Sequence, residues 1–383
     1  MAAAARVTDA RARHAPAPEA AAPASLDWPD GAPDRPLPRP LQPVSRPPHH
    51  RDGGFQNNDR DFEPKSLAQV LRWRWDATRR SLPPRPREPI PVQPAELAFL
   101  HANCGPAQQP AATWVGHATV LAQLGGLNLL TDPIFSARAS PLPFLGPRRE
   151  QPPGVALAEL PRIDAVLVSH NHYDHLDLPS ARALAAQPGG SPLFVVPLGL
   201  QAWFRARGVD RVVELDWWQG HALDGVEIVL VPARHWSARG LTDRMKTLWG
   251  GFAVFAPDCQ LFFAGDTGYS RDFAEIRTRF AHRQQAHQGG GFDLALLPIG
   301  SYAPRWFMQD QHVNVEEALK IHDDLGAKAS LGVHWGTFEL TDEALDEPPR
   351  ELARQRAALG LAEDHFFTLA IGETRRLPPR RGG

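Results

Sequence analysis

The sequence predicts an α/β fold whose chemistry is gathered at strand ends. Short apolar runs alternate with helical stretches along most of the chain, and histidines and aspartates stand just behind four of those runs. Of the 383 residues, 43% are hydrophobic and 22% charged, ordinary globular proportions that supply a substantial core.

Taken in order, residues 1–52 read as a disordered, flexible tail. The stretch 15–48 is dense in proline and alanine without apolar periodicity, and such a segment cannot bury enough surface to fold. Residues 53–110 read as an N-terminal helix and connector packed on the main domain, and 111–383 as that domain. Leu67, Val70, Leu71 and Trp75 follow a helical series, with Arg72, Arg79 and Arg80 elsewhere around the turn, which predicts a helix over 66–80. The proline-rich segment 81–94 separates it from the main domain. A hairpin follows: "ATWVGHATVLAQL" and "LNLLTD" flank Gly125 and Gly126, a dipeptide suited to the positive φ of a tight turn. The runs "DAVLVS", "LFVVP", "VEIVLVP", "GFAVFA", "QLFFAG", "DLALLPIG" and "ASLGVH" predict strands. Helices are expected at 179–187, 200–207, 271–280, 314–325 and 342–358, the fourth opened by an Asn314 cap with Glu317 completing a capping box.

Composition excludes several classes. A net charge of -2 gives no global pull toward nucleic acid or an anionic membrane. Two cysteines, Cys104 and Cys259, support neither a disulfide framework nor a thiolate metal site. No apolar stretch approaches the ~18 residues of a membrane-spanning helix, and the first residues lack the continuous apolar segment of a secretory signal. Cytoplasm is the expected location.

The segment "SHNHYDHLD" places His170, His172, Asp174 and His175 directly behind "DAVLV". His235 follows "VEIVLVPAR", Asp266 follows "QLFFAG", and His334 ends "ASLGV". A lone histidine in such a place is more often structural, and a lone aspartate in "GDTG" fits a turn. Seven nitrogen and oxygen ligands at four strand ends, with no cysteine among them, fit two borderline divalent ions better than one. The pair His170 and His172 can turn both rings toward one ion if the chain is still extended there, and Asp174 and His175 can reach a second. Asp132, in "TDP", is a candidate acceptor for orienting a histidine ring.

These ordered motifs, with the late "VHWG", resemble the metallo-β-lactamase superfamily. "TWVGHATVLAQL", "LLTDPIFSARASP", "KTLWGGFAV", "FFAGDTGYSRDF" and "PIGSYAPRWFMQDQHVNVEEALKIH" are further similar to the family of N-acylphosphatidylethanolamine-hydrolysing phospholipases D, over roughly residues 53–377. The proline-rich tail and the loop insertion "AHRQQAHQGGG" (281–291) depart from that pattern. The resemblance implies an αββα sandwich and two zinc ions per chain. His170, His172 and His235 would hold one ion, and Asp174, His175 and His334 the other, with Asp266 bridging. It assigns catalysis to Asp174, Asp266 and His312, and substrate contact to Tyr173 and His312. The implied reaction is hydrolysis of a phospholipid on its head-group side by a water whose pKa the zinc lowers toward ~7, releasing phosphatidic acid and N-acylethanolamine. A homodimer is also implied.

Two stretches suit acyl chains and head groups at the inner face of a membrane: Leu142, Phe144 and Leu145 beside Arg148 and Arg149, and Arg305, Trp306, Phe307 and Met308. Each equally suits a loop anchored on the sheet. The rival readings are a lactonase or esterase acting on a soluble sugar phosphate, a nuclease, a di-iron redox protein and a non-catalytic metal-binding module. A nuclease would want a broad basic stripe, and none is present.

Overall fold

A hairpin of two short strands, β1 (His50–Arg51) and β2 (Gly54–Phe55), leads the computed structural model, which describes residues 46–285 and 290–380. Most of the expected tail, 1–45, lies outside the described residues, as do residues 286–289 of the expected insertion. The tail's expected end at 52 needs correction, since the compact unit already begins at Pro47. Side-chain anchoring, which composition does not reveal, is the reason. His49 Nε2 and His50 Nε2 lie 2.6 and 2.8 Å from the two oxygens of Asp216, and the His49 ring stacks on Trp217. Gly54 passes so close to the Met245 carbonyl that no Cβ would fit between them.

Helices α1 (Leu67–Arg80) and α2 (Leu97–Ala102) come next. The first ordered sheet contains β3 (Ala111–Gly116), β4 (Thr119–Leu124), β5 (Leu127–Thr131), β6 (Ala165–Leu167), β7 (Leu193–Pro197) and β8 (Val212–Leu215), interrupted by α3 (Leu178–Ala185) and α4 (Gln201–Arg205). The second contains β9 (Gly220–Leu223), β10 (Val226–Val231), β11 (Gly251–Phe255), β12 (Gln260–Phe263), β13 (Leu294–Pro298), β14 (Ser330–Val333) and β15 (Phe366–Phe367). Within that half lie α5 (Asp272–Phe280), α6 (Arg305–Met308), α7 (Val315–Leu325) and α8 (Glu347–Leu359). A last strand, β16 (Thr374–Arg376), returns to pair with β3, so the two seven-stranded sheets run β16-β3-β4-β5-β6-β7-β8 and β15-β14-β13-β12-β11-β10-β9.

The expected single strand over 112–124 is two strands. Gly116 at φ 131° and His117 at φ 53° break it, whereas Gly125 and Gly126 make the expected turn at 62° and 81°. Helix α8 starts later than 342 because Pro348 belongs in a first turn, where its missing N–H is no loss. Asn314 and Glu317 form the expected reciprocal cap of α7.

Alternate residues of the first sheet serve different layers. Trp114, Val120, Leu129, Leu167 and Val195 join the core shared with the second sheet. Val115, Leu121, Leu130, Val166 and Phe194 pack outward with Ala181, Leu184 and Phe204 of the covering helices. Phe273, Ile276, Ala318, Ile321 and Leu352 bring α5, α7 and α8 against the second sheet, completing an αββα sandwich. Strands covered on both faces read as continuous apolar runs, which is why they were visible in the sequence. Strands β5 to β8 are parallel, as are β12 to β15, and β10 runs with β12 because both are antiparallel to β11. The ends of β10, β12 and β14 therefore open onto one edge, and the side chains that follow β6 reach the same place. Among the described residues no helix is long and apolar enough to cross a membrane.

Candidate metal centre

After β6 the chain turns sharply, with the amides of His175 and Leu176 both donating to the His172 carbonyl. Asp177 then caps α3 by accepting from the Ser180 amide. This turn, with the residues following β10, β12 and β14, brings all seven expected ligands together. His170 Nε2 is 2.8 Å from His172 Nδ1, and His235 Nε2 is 3.3 Å from that same Nδ1. In a second group, His175 Nε2 is 3.1 Å from His334 Nε2, and Asp174 Oδ2 lies 3.4 and 3.5 Å from those two nitrogens. Asp266 stands between the groups. Its Oδ2 is 3.0 Å from His175 Nε2 and 3.8 Å from both His170 Nε2 and His235 Nε2, while Oδ1 is 3.2 Å from His334 Nε2.

The donor set fits divalent cations. His235 Nδ1 donates to the Gln311 carbonyl at 2.9 Å, and His175 Nδ1 to Asp132 Oδ2 at 2.6 Å, which turns each Nε2 toward the cluster. Asp132 is itself fixed by the Ser169 amide and hydroxyl. Ring nitrogens with lone pairs converging at such distances, Nδ1 of His172 and Nε2 of the others, repel one another unless a cation or proton lies between them. Burial pushes His170 well below the ordinary histidine value, His172 to about 4 and His235 to about 3, leaving the neutral rings that metal ligation requires. For His175 and His334 burial also opposes charge, but Asp266 and Asp174, with Asp132 at His175, outweigh it and lift His334 to about 9 and His175 well above its ordinary value. The carboxylate charge that favours a proton on these rings favours a cation in the same place.

Sequence reasoning missed His117. Its ring Nε2 lies 3.1 Å from Asp174 Oδ2 and its ring packs 4.0 Å from that of His334, so it joins Asp174, His175 and His334 in one group able to surround a cation. The signal was the glycine before it, which marks the break in the strand.

A cavity of about 300 Å³ opens beside the cluster. His172, Asp174, Asp266 and His312 line one side, and Val70, Trp73, Phe307, Met308 and Leu340 the other. His312 Nδ1 is 4.0 Å from Asp266 Oδ2. Tyr173 does not line this cavity: its hydroxyl donates to the Arg239 carbonyl and its ring lies under the Arg239 guanidinium, beside a separate cavity of about 530 Å³. In so tight a turn, neighbouring side chains leave in different directions.

The two lipid-suited stretches also divide. Phe144 and Leu145 are exposed, but Arg149 is buried and donates to the Ile134 and Ser136 carbonyls instead of facing a head group. Phe307 and Met308 are buried against Trp73, and Arg305 pairs with Glu317.

Residues 127–335 match the β-lactamase superfamily domain. Over 334 residues the chain is 40% identical to an uncharacterised protein of Mycobacterium tuberculosis, covering 85% of this chain and 82% of that one. It is 39% identical over 296 residues to N-acyl-phosphatidylethanolamine-hydrolyzing phospholipase D 1 of Caenorhabditis elegans, covering 74% of this chain and 79% of the worm protein. The mitochondrial enzyme of that name from Saccharomyces cerevisiae is 36% identical over 320 residues, or 80% and 66% of the two chains. Among solved structures, an isothiocyanate hydrolase from Delia radicum gut bacteria shares the fold, with a TM-score of 0.53 at 21% identity over 70% of this chain and 99% of that one.

Proposed function

This chain belongs to the β-lactamase superfamily, in the metal-dependent branch that includes the N-acyl-phosphatidylethanolamine-hydrolysing phospholipases D, and on that premise we propose a dinuclear zinc phosphodiesterase that splits N-acylphosphatidylethanolamine into phosphatidic acid and N-acylethanolamine. The position of Asp266 between two groups of ligands carries the reading: a carboxylate spans two ions ~3.5–4 Å apart, and an imidazole cannot. His170, His172 and His235 would hold one ion, and Asp174, His175 and His334 the other. Zinc bound there supplies Lewis acidity, lowering the pKa of water toward ~7 and offsetting charge on phosphoryl oxygens.

The remaining work falls to the protein. Asp132 and the Gln311 carbonyl keep the His175 and His235 rings from turning. His312, at the cavity wall beside Asp266, would hydrogen-bond a phosphoryl oxygen. Val70, Trp73, Phe307 and Met308 give the glycerolipid an apolar surface and keep bulk water from that side. Leu67, Leu71 and Trp75 form an exposed stripe on α1 and, with exposed Phe144 and Leu145, support contact with a lipid surface. A homodimer remains part of the reading.

The test is product identification by mass spectrometry after incubating purified protein with mixed phospholipids, alongside elemental analysis. Phosphatidic acid and N-acylethanolamine in equal amounts, with close to two zinc ions per chain, are expected. Inertness toward lipids combined with opening of a phosphorylated sugar lactone would overturn the substrate.

A further inference from the structure

Two fixed cations line the cavity beside the metal centre, and only one has a counter-charge. Lys65 Nζ lies 2.6 Å from Asp310 Oδ2. Arg244 Nη1 donates to the Lys65 carbonyl at 3.2 Å, while its buried Nε has no acceptor and no carboxylate pairs with it among the described residues. Its guanidinium carbon sits 4.3 Å from the centre of the Trp236 ring, and Trp236 meets His172 edge-on at 4.4 Å. Guanidinium, indole and candidate ligand thus form one continuous row from cavity wall to metal site.

That row bears on which alcohol can occupy the cavity. An alkylammonium is received by carboxylates or by open aromatic faces. The carboxylates lining this cavity are Asp174 and Asp266, which belong to the metal cluster. Its two indoles are already engaged: Trp236 carries Arg244, and Trp73 packs on Phe307 and carries the Arg74 guanidinium at 4.4 Å. A second cation would meet Arg244 with nothing to offset it, and like charges in a partly buried site are a common means of rejecting a wrong substrate. An amide or ester carbonyl, or an anion, would instead be attracted by the uncompensated guanidinium charge.

We propose that Arg244 sets the head-group charge this site admits: it rejects phosphodiesters whose alcohol carries an ammonium or trimethylammonium group and favours uncharged or anionic ones. The assignment rests on the phosphodiesterase reading above and adds the property by which the site tells its substrate from more abundant lipids. Acylation of the amine is what removes the offending charge.

The experiment compares turnover of N-acylphosphatidylethanolamine, phosphatidylethanolamine and phosphatidylcholine in identical mixed micelles. Each rate is divided by the same variant's rate on bis(4-nitrophenyl) phosphate, which carries no head group. Wild-type protein should prefer the N-acylated lipid. Arg244→Glu should narrow that preference at least tenfold, Arg244→Gln should narrow it by a smaller factor, and Arg244→Lys should keep it. An unchanged preference in both the Glu and Gln variants overturns the role of Arg244 while leaving the phosphodiesterase intact. Wild-type protein inert toward every phosphodiester overturns the underlying reading, and this one with it.

Discussion

His117 holds a backbone angle, φ 53°, that costs a β-carbon-bearing residue about 1–2 kcal/mol, and its contacts explain why. Its amide donates to Thr337 Oγ1, its carbonyl accepts from Trp114 Nε1 and the His334 amide, and its ring reaches Asp174. One residue therefore aligns the backbone of one candidate ligand and the carboxylate of another. His117→Ala should weaken zinc binding at the Asp174 side about 10- to 100-fold, the usual loss when an outer partner of a ligand is removed. His117→Asn should retain part of it. Zinc titration followed by calorimetry would resolve the two proposed sites, and unchanged affinity in the alanine variant would remove the role. At this scale the sequence was legible where residue type and spacing coincide, as in the segment 170–175. A single histidine inside an apolar run carries no spacing, so only Gly116 before it marked His117. The outward exit of Tyr173 and the inward fold of Arg149 are directions, and one-dimensional order does not encode them.

Among elements, α1 shows an uneven division of labour. Trp73 and Ala77 are buried, while Leu67, Leu71 and Trp75 leave 74%, 61% and 65% of their surface exposed on one stripe. Replacing Leu71 and Trp75 with serine should lower kcat/KM on vesicles about tenfold or more, since burying such side chains is worth ~1.5–3 kcal/mol each. Turnover of a small soluble diester should stay within twofold. Equal loss on both substrates would make the stripe a packing surface. The β1–β2 hairpin is pinned differently, by two histidines on Asp216. Burial opposes ionisation of Asp216, but the bonds from His49, Trp217 and His50 prevail and hold its carboxyl below the usual value. That contribution is complete above ~3.9, the unfolded value, and is lost only as pH falls through the lower folded value. Hydrogen exchange over residues 49–57 should therefore stay slow at pH 5 and 7. Asp216→Asn should speed it at pH 7, with about 1–2 kcal/mol of local stability lost. The helix over 66–80 was readable from its period, whereas this hairpin was hidden because its anchors lie 166 and 167 residues away.

At the scale of the whole molecule, the candidate ligands come from both sheets: His170, His172, Asp174 and His175 follow β6, and His235, Asp266 and His334 follow strands of the other layer. Metal bound there would tie the layers together, and a ligand that binds only the folded state stabilises it by mass action, ~4 kcal/mol at a thousandfold excess over Kd. Exhaustive chelation should lower Tm by at least about 5 °C, and added zinc should restore it; an unmoved melting curve would show that the edge is held by protein contacts alone. The layered fold was legible because doubly covered strands are apolar throughout. Strand order was not, since β16 joins β3 from the far end of the chain.

That closure has a consequence for biosynthesis. The ribosome delivers β3 to β8 with the 170–175 loop long before it delivers His334, and β3 keeps one edge unpaired until Thr374–Arg376 emerges. Throughout that interval the nascent chain carries half of the candidate metal site and an open strand edge, which invites pairing with a neighbouring chain. Pairing of Thr374–Arg376 with β3, the step that completes the first sheet, is what withdraws that edge from neighbouring copies.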